Sequence, residues 1–143
     1  MRDCTAITDA RDLKITAKNV GSGALCNTFK NCTNLVYGPV IIDVENFSGK
    51  DNCSQMFQGC TSLVESPILK GSILINGTFY AMFDGCTSLN KVTTYCTDAS
   101  ATNCTYYWLR NVAATGDFYN LGNATFSSDT SGIPSGWTEH TSL

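Results

Sequence analysis

The sequence predicts a β-rich solenoid: stacked coils, each a strand plus a short helical or 3-10 turn, ending in a C-terminal β cap. Three observations carry that expectation. The octapeptide Met56-Phe57-Gln58-Gly59-Cys60-Thr61-Ser62-Leu63 recurs as Met82-Phe83-Asp84-Gly85-Cys86-Thr87-Ser88-Leu89, and a looser copy reads Thr28-Phe29-Lys30-Asn31-Cys32-Thr33-Asn34-Leu35. Its cysteines fall 28 and then 26 residues apart. At such a period one coil cannot bury its own apolar face, and stacked neighbours supply the missing core. A strand-like run then follows the motif, Leu35 to Ile41 after one copy and Leu63 to Leu69 after the next.

The elements follow in chain order. Leu13-Lys14-Ile15 reads as a strand of an incomplete coil, and Gly21-Ser22-Gly23 as the loop after it. Residues 1–24 are therefore an incomplete coil or a docking segment. Residues 25–112 form the repeat coils, part of a stack of about five if each takes roughly 26 residues. Within a coil, Cys53 to Phe57 suits one helical or 3-10 turn that buries its aromatic. Gly59 and Gly85 stand where that turn must stop in a left-handed conformation, with Asn31 in the looser copy. Pro39 and Pro67, lacking an N–H, mark a strand edge or corner. The inward set is Phe29, Cys32, Leu35, Phe57, Cys60, Leu63, Phe83, Cys86 and Leu89. Trp108 and Val112 extend it in the same register 26 residues on. Beyond Val112 the motif dissolves into aromatic, Gly- and Pro-rich sequence, read as the cap over residues 113–143.

Composition narrows the function classes. A net charge of −3 and scattered Lys and Arg exclude a nucleic-acid footprint. No apolar run approaches the length of a membrane span. The start Met1-Arg2-Asp3-Cys4 lacks the apolar core of a signal peptide, so the expectation is a chain not exported by the usual route, or a piece of a longer exported protein. Eight cysteines would fit a disulfide framework, but Cys32, Cys60 and Cys86 share one repeat position and read as a buried ladder of free thiols. Cys96 and Cys104 are the disulfide candidates.

No Cys-x-x-Cys exists, so no metal site is expected. No cofactor is expected either, and Gly21-Ser22-Gly23 lacks the lysine of a phosphate-binding loop. The single histidine, His140, lies in the last residues and reads as a frayed terminus. Asp43, Glu45, Glu65, Asp84 and Asp98 occur singly and read as solvated surface. Six Asn-x-Ser/Thr triplets, at Asn31, Asn46, Asn52, Asn76, Asn103 and Asn123, read as turn chemistry before glycosylation. Two surface groups stand out. Tyr37, Glu65 and Lys91 each lie two residues after the repeat leucine, so stacking places them in one row. Tyr106 and Tyr107, beside a buried Trp108, form an aromatic patch for sugar or protein contact.

The Met-Phe-x-Gly-Cys-Thr-Ser-Leu copies, the Leu-x-x-small-Pro strands at 35–39 and 63–67, and the ending from Asn103 to Thr138 resemble leucine-rich repeats of the BspA type. That family occurs on surface proteins of gut and oral bacteria and in phages of gut Bacteroidales. The resemblance implies adhesion through a protein or glycan ligand, with assembly as a homo-oligomer or docking on another structural protein. The expected setting is a phage virion, as a fibre or decoration component, since a reducing cytoplasm suits free thiols. The alternatives are a fragment of a bacterial cell-surface adhesin and a glycan-active enzyme.

Overall fold

Six strands follow one another in chain order across a single sheet in the computed structural model, which describes residues 1–143. They are β1 (Lys14–Val20), β2 (Ile41–Phe47), β3 (Glu65–Leu69), β4 (Lys91–Thr94), β5 (Gly116–Asn120) and β6 (Trp137–His140). Every neighbouring pair is parallel. A sheet that advances one strand per coil, always in one direction, is a β-solenoid. It makes about four complete turns, with part-turns at either end.

The side opposite the sheet is not helical, which corrects the expected helical or 3-10 turn. Each coil there runs as successive single turns. Every fourth residue is left-handed: Gly23, Asn27 and Asn31, then Asp51, Gln55 and Gly59, then Gly77, Ala81 and Gly85, then Asn103, Tyr107 and Asn111. A right-handed helix cannot pass through such positions. The residues between them bond back three positions, as Cys26 N–H does to Gly23 and Met56 N–H to Cys53. Alternate residues instead bond sideways to the next coil: Cys53 to Thr78, Gln55 to Tyr80, Phe57 to Met82 and Gly59 to Asp84. This turn wall is thus a second ladder facing the sheet, and it satisfies the backbone without a helix. The expected left-handed conformation holds at Asn31, Gly59 and Gly85.

Sheet and wall close on a core of one contiguous cluster. Phe29, Cys32, Leu35, Phe57, Cys60, Leu63, Phe83, Cys86, Leu89 and Trp108 are all fully buried, while Val112 is half-buried. Phe57 stacks between Phe29 and Phe83, with ring centroids 5.2 and 5.4 Å apart and planes within 9°. A second aromatic stack runs from Phe79 through Trp108 to Phe126. Two ladder thiols donate to the phenylalanine carbonyl of the coil before, Cys60 to Phe29 at 3.0 Å and Cys86 to Phe57 at 3.1 Å, while Cys32 donates to the Met1 carbonyl at 3.0 Å. All eight cysteines are free, Cys96 and Cys104 included.

Pro67 lies within β3, at a register shift between Glu65 and Ile68. The bulge keeps proline out of the ladder, and the Ser66 hydroxyl takes over by accepting the Thr93 N–H. At the other end the sequence motif stops at Val112, but the sheet does not. β5 pairs with β4 at the same 26-residue step, and β6 follows. Trp108 anchors the returning chain through its indole N–H, which donates to the Gly132 carbonyl.

Candidate binding surface

The outer face of the sheet brings Tyr37, Glu65 and Lys91 side by side. Bridges join Asp9 to Tyr37 and Tyr37 to Glu65, and the strand register carries the row on to Lys91, Asp117 and Thr138. Its charges are paired along the row. Arg11 grips Asp9 through both carboxylate oxygens and lies 4.2 Å from the Tyr37 ring centre. The Arg11 hydrogen bonds hold the Asp9 carboxyl below the ordinary aspartate range. Lys91 Nζ sits 2.8 Å from Glu65 Oε1, and that bond raises the lysine's affinity for its proton. An exposed pair of this kind contributes about 0–1 kcal/mol, so its effect here is to fix side-chain direction and not to hold the fold.

His140 is not frayed. It closes β6, lies 2.7 Å from Asp117 Oδ1 and stacks on Tyr119 at 4.7 Å. Terminal position misled the sequence reading because strand pairing, not chain position, decides order.

Two grooves flank the row. One, of about 190 Å³, runs past Arg11, Tyr37, Pro39 and Val40, and the other, of about 290 Å³, past Lys91, Tyr95, Tyr119 and Leu121. Glu65 and Ile68 line both. The two grooves therefore form one continuous face of tyrosines, aliphatic side chains and alternating charges. Tyr37, Val40 and Tyr95 stand 37–43% exposed on it.

No family model, curated protein or solved structure matches the chain.

Tyr106 and Tyr107 lie elsewhere, half-buried on the turn wall across the core from the row. Their rings are 3.9 Å apart, Tyr106 stacks on Tyr80, and Arg110 covers Tyr107 at 4.0 Å. Arg110 is held in turn by Asp84, which is 6% exposed and not the solvated carboxylate expected from sequence. Asp84 accepts from Arg110 Nε at 2.9 Å and Nη2 at 2.6 Å, from Gln58 and from Asn111. Burial alone would raise its carboxyl, but these donors hold it below the ordinary value. A carboxyl so depressed adds stability above the unfolded aspartate range and loses it as pH falls through the lowered value. Asp84→Asn should therefore unfold at a lower temperature than the parent at pH 7, with the gap narrowing below about pH 4, near the unfolded aspartate pKa. Melts across that range by circular dichroism check it.

No three His, Cys, Asp or Glu side chains converge as a metal site. Asp9, Asp84, Asp98 and Asp129 are all shifted down, the direction opposite to a general acid. Burial pushes the Cys53 and Cys60 thiols up to about 12 and Cys86 well above its usual value. Thiolates, not thiols, react. Native protein at pH 8 should thus take up iodoacetamide only at the part-exposed Cys4 and Cys26, and at all eight positions once denatured. Mass spectrometry after timed alkylation reads this directly, and fast labelling of Cys60 would contradict the buried ladder.

Proposed function

We propose that the chain is a non-enzymatic binding and adhesion module that acts through the outer sheet face. The observation that carries this reading is the continuous row from Asp9 through Tyr37, Glu65, Lys91 and Asp117 to Thr138, flanked by two grooves. Backbone ladders on both sides of the core hold these side chains in place, so a partner is met with little ordering cost. The repeated Met-Phe-x-Gly-Cys-Thr-Ser-Leu supports placing the coils with leucine-rich repeats of the BspA type, with residues 113–143 as their C-terminal cap. Eight free thiols support assembly in a reducing compartment, as for a phage fibre or decoration component.

Assembly is the second half of the proposal. The wall carbonyls of Ala24, Cys26 and Thr28 accept no hydrogen bond, although their counterparts in every later coil do. Such open ladder groups favour docking of the N-terminal coil on another chain or copy. A monodisperse monomer by light scattering, with residues 1–24 resistant to protease, would count against it.

Labelled protein binding to gut Bacteroidales cells, followed by flow cytometry, tests the face. Tyr37→Ala with Lys91→Glu should abolish the signal while leaving the melting temperature within a few degrees. Equal binding by this variant would remove the sheet face from the reading. Turnover of a glycan or peptide, lost on a single carboxylate substitution, would replace adhesion with catalysis.

A further inference from the structure

The turn wall carries an open groove of about 330 Å³, lined by Asp51, Ser54, Gln55, Asn76, Tyr80 and Asn103. It lies across the core from the sheet face and shares no residue with that row. Its polar side chains have capacity to spare. Those of Asp51, Ser54, Asn76 and Asn103 make no hydrogen bond, whereas Gln55 only accepts one from Lys30 at 3.3 Å. Ser54 is only 6% exposed as a residue, and its hydroxyl, which makes no hydrogen bond within the protein, is left to the groove.

The groove is also rigid. Asp51, Gln55 and Asn103 are fixed in left-handed conformations, with φ of 55°, 54° and 54°. Ladder bonds from Asp51 to Asn76 at 3.1 Å and from Gln55 to Tyr80 at 2.8 Å hold the coils in register beneath it. Tyr80 stacks on Tyr106 at 5.8 Å, which places an aromatic platform along one side.

One carboxylate, three carboxamides, a hydroxyl and an aromatic ring select a ligand by chemistry. Carboxamides both donate and accept, and a carboxylate accepts from two hydroxyls at once. Ring faces pack against the C–H face of a pyranose, an amphipathic match of the kind tyrosine makes. An anionic ligand would meet Asp51, and a divalent cation would find one negative charge to balance its two, with no three His, Cys, Asp or Glu side chains converging on it. We infer that this groove is a binding site for a neutral glycan, presenting vicinal hydroxyls to Asp51, Asn76 and Asn103 and a ring face to Tyr80.

Amide shift mapping by NMR with chitotriose, lactose and maltotriose, each to about 50 mM for a weak site, tests it. At least one sugar should move the amides of Ser54, Gln55, Gly77, Tyr80 and Asn103. Asn103→Gly keeps the left-handed backbone and removes the carboxamide, and it should weaken binding at least about tenfold, near 1.4 kcal/mol. Tyr80→Ala should do the same, and Tyr37→Ala should leave it unchanged, which separates this site from the sheet face. No shifts with any of the three sugars, shifts confined to the sheet, or the same shifts from calcium chloride alone would each overturn the assignment.

Discussion

Replacing Phe57 by alanine should destabilise the protein by about 3–5 kcal/mol. The ring is fully buried and stacked on both faces, between Phe29 and Phe83. Its neighbours cannot close the gap, because each is fixed by its own coil and the coils are held apart by ladder bonds on two sides. In a stack where each coil touches only its neighbours, the loss falls on two interfaces at once. Urea unfolding should therefore show a lower midpoint and a second transition or a reduced slope, as the coils before residue 50 part from those after it. A loss under about 1.5 kcal/mol, the range of a volume-conserving swap, would mean that the aromatic stack is not what holds the coils together.

Asn52→Asp exchanges a donor for a charge and should cost more than about 4 kcal/mol at pH 7. The Asn52 side chain is fully buried, and its amide nitrogen donates to three carbonyls, Val20 at 3.1 Å, Gly21 at 2.8 Å and Ser48 at 2.8 Å. It clamps the corner where β1 and β2 both leave the sheet. An aspartate there would face three carbonyl oxygens with no donor and no cation, and its oxygen opposite would stay as unpaired as Asn52 Oδ1 is now. Burial raises such a carboxyl, so the penalty grows as pH rises above the unfolded aspartate value and shrinks below it. Unfolding at pH 7 and pH 4.5 separates the two contributions. Equal losses at both would assign the effect to shape, not charge.

Much of the fold was legible because the repeat is a packing rule written in sequence. Phe57, Cys60 and Leu63 must face inward in every coil, so they recur. The wall was misread as helical because Met56 and Phe57 next to a left-handed glycine look like a helix end. The contrary signal lay in the residues that tolerate positive φ at every fourth position, Gly23-Asn27-Asn31 and Asn103 with Asn111. Gln55, Ala81 and Tyr107 hide it, since none of them advertises that conformation. The row of Tyr37, Glu65 and Lys91 followed from register alone, whereas its extension to Asp9 and Asp117 needed strands outside the motif. Asp84 was missed because its partners, Arg110 and Asn111, stand one coil later, where the motif has already lost its cysteine.

The alternation of bonds along the wall imposes a parity on chain length. Odd positions such as Cys53, Gln55 and Phe57 reach to the next coil, and even ones such as Ser54, Met56 and Gln58 bond back within their own. A single residue inserted there would swap the two classes and turn every later side chain to the wrong side. The wall accordingly keeps its outer left-handed positions eight residues apart in all four coils, while those coils start 28, 26 and 26 residues apart. Length can vary only at the corners. A scan of one-residue insertions should then print the wall as a gap in the tolerated positions, with survivors gathered in the stretches that lead into β2 and β3.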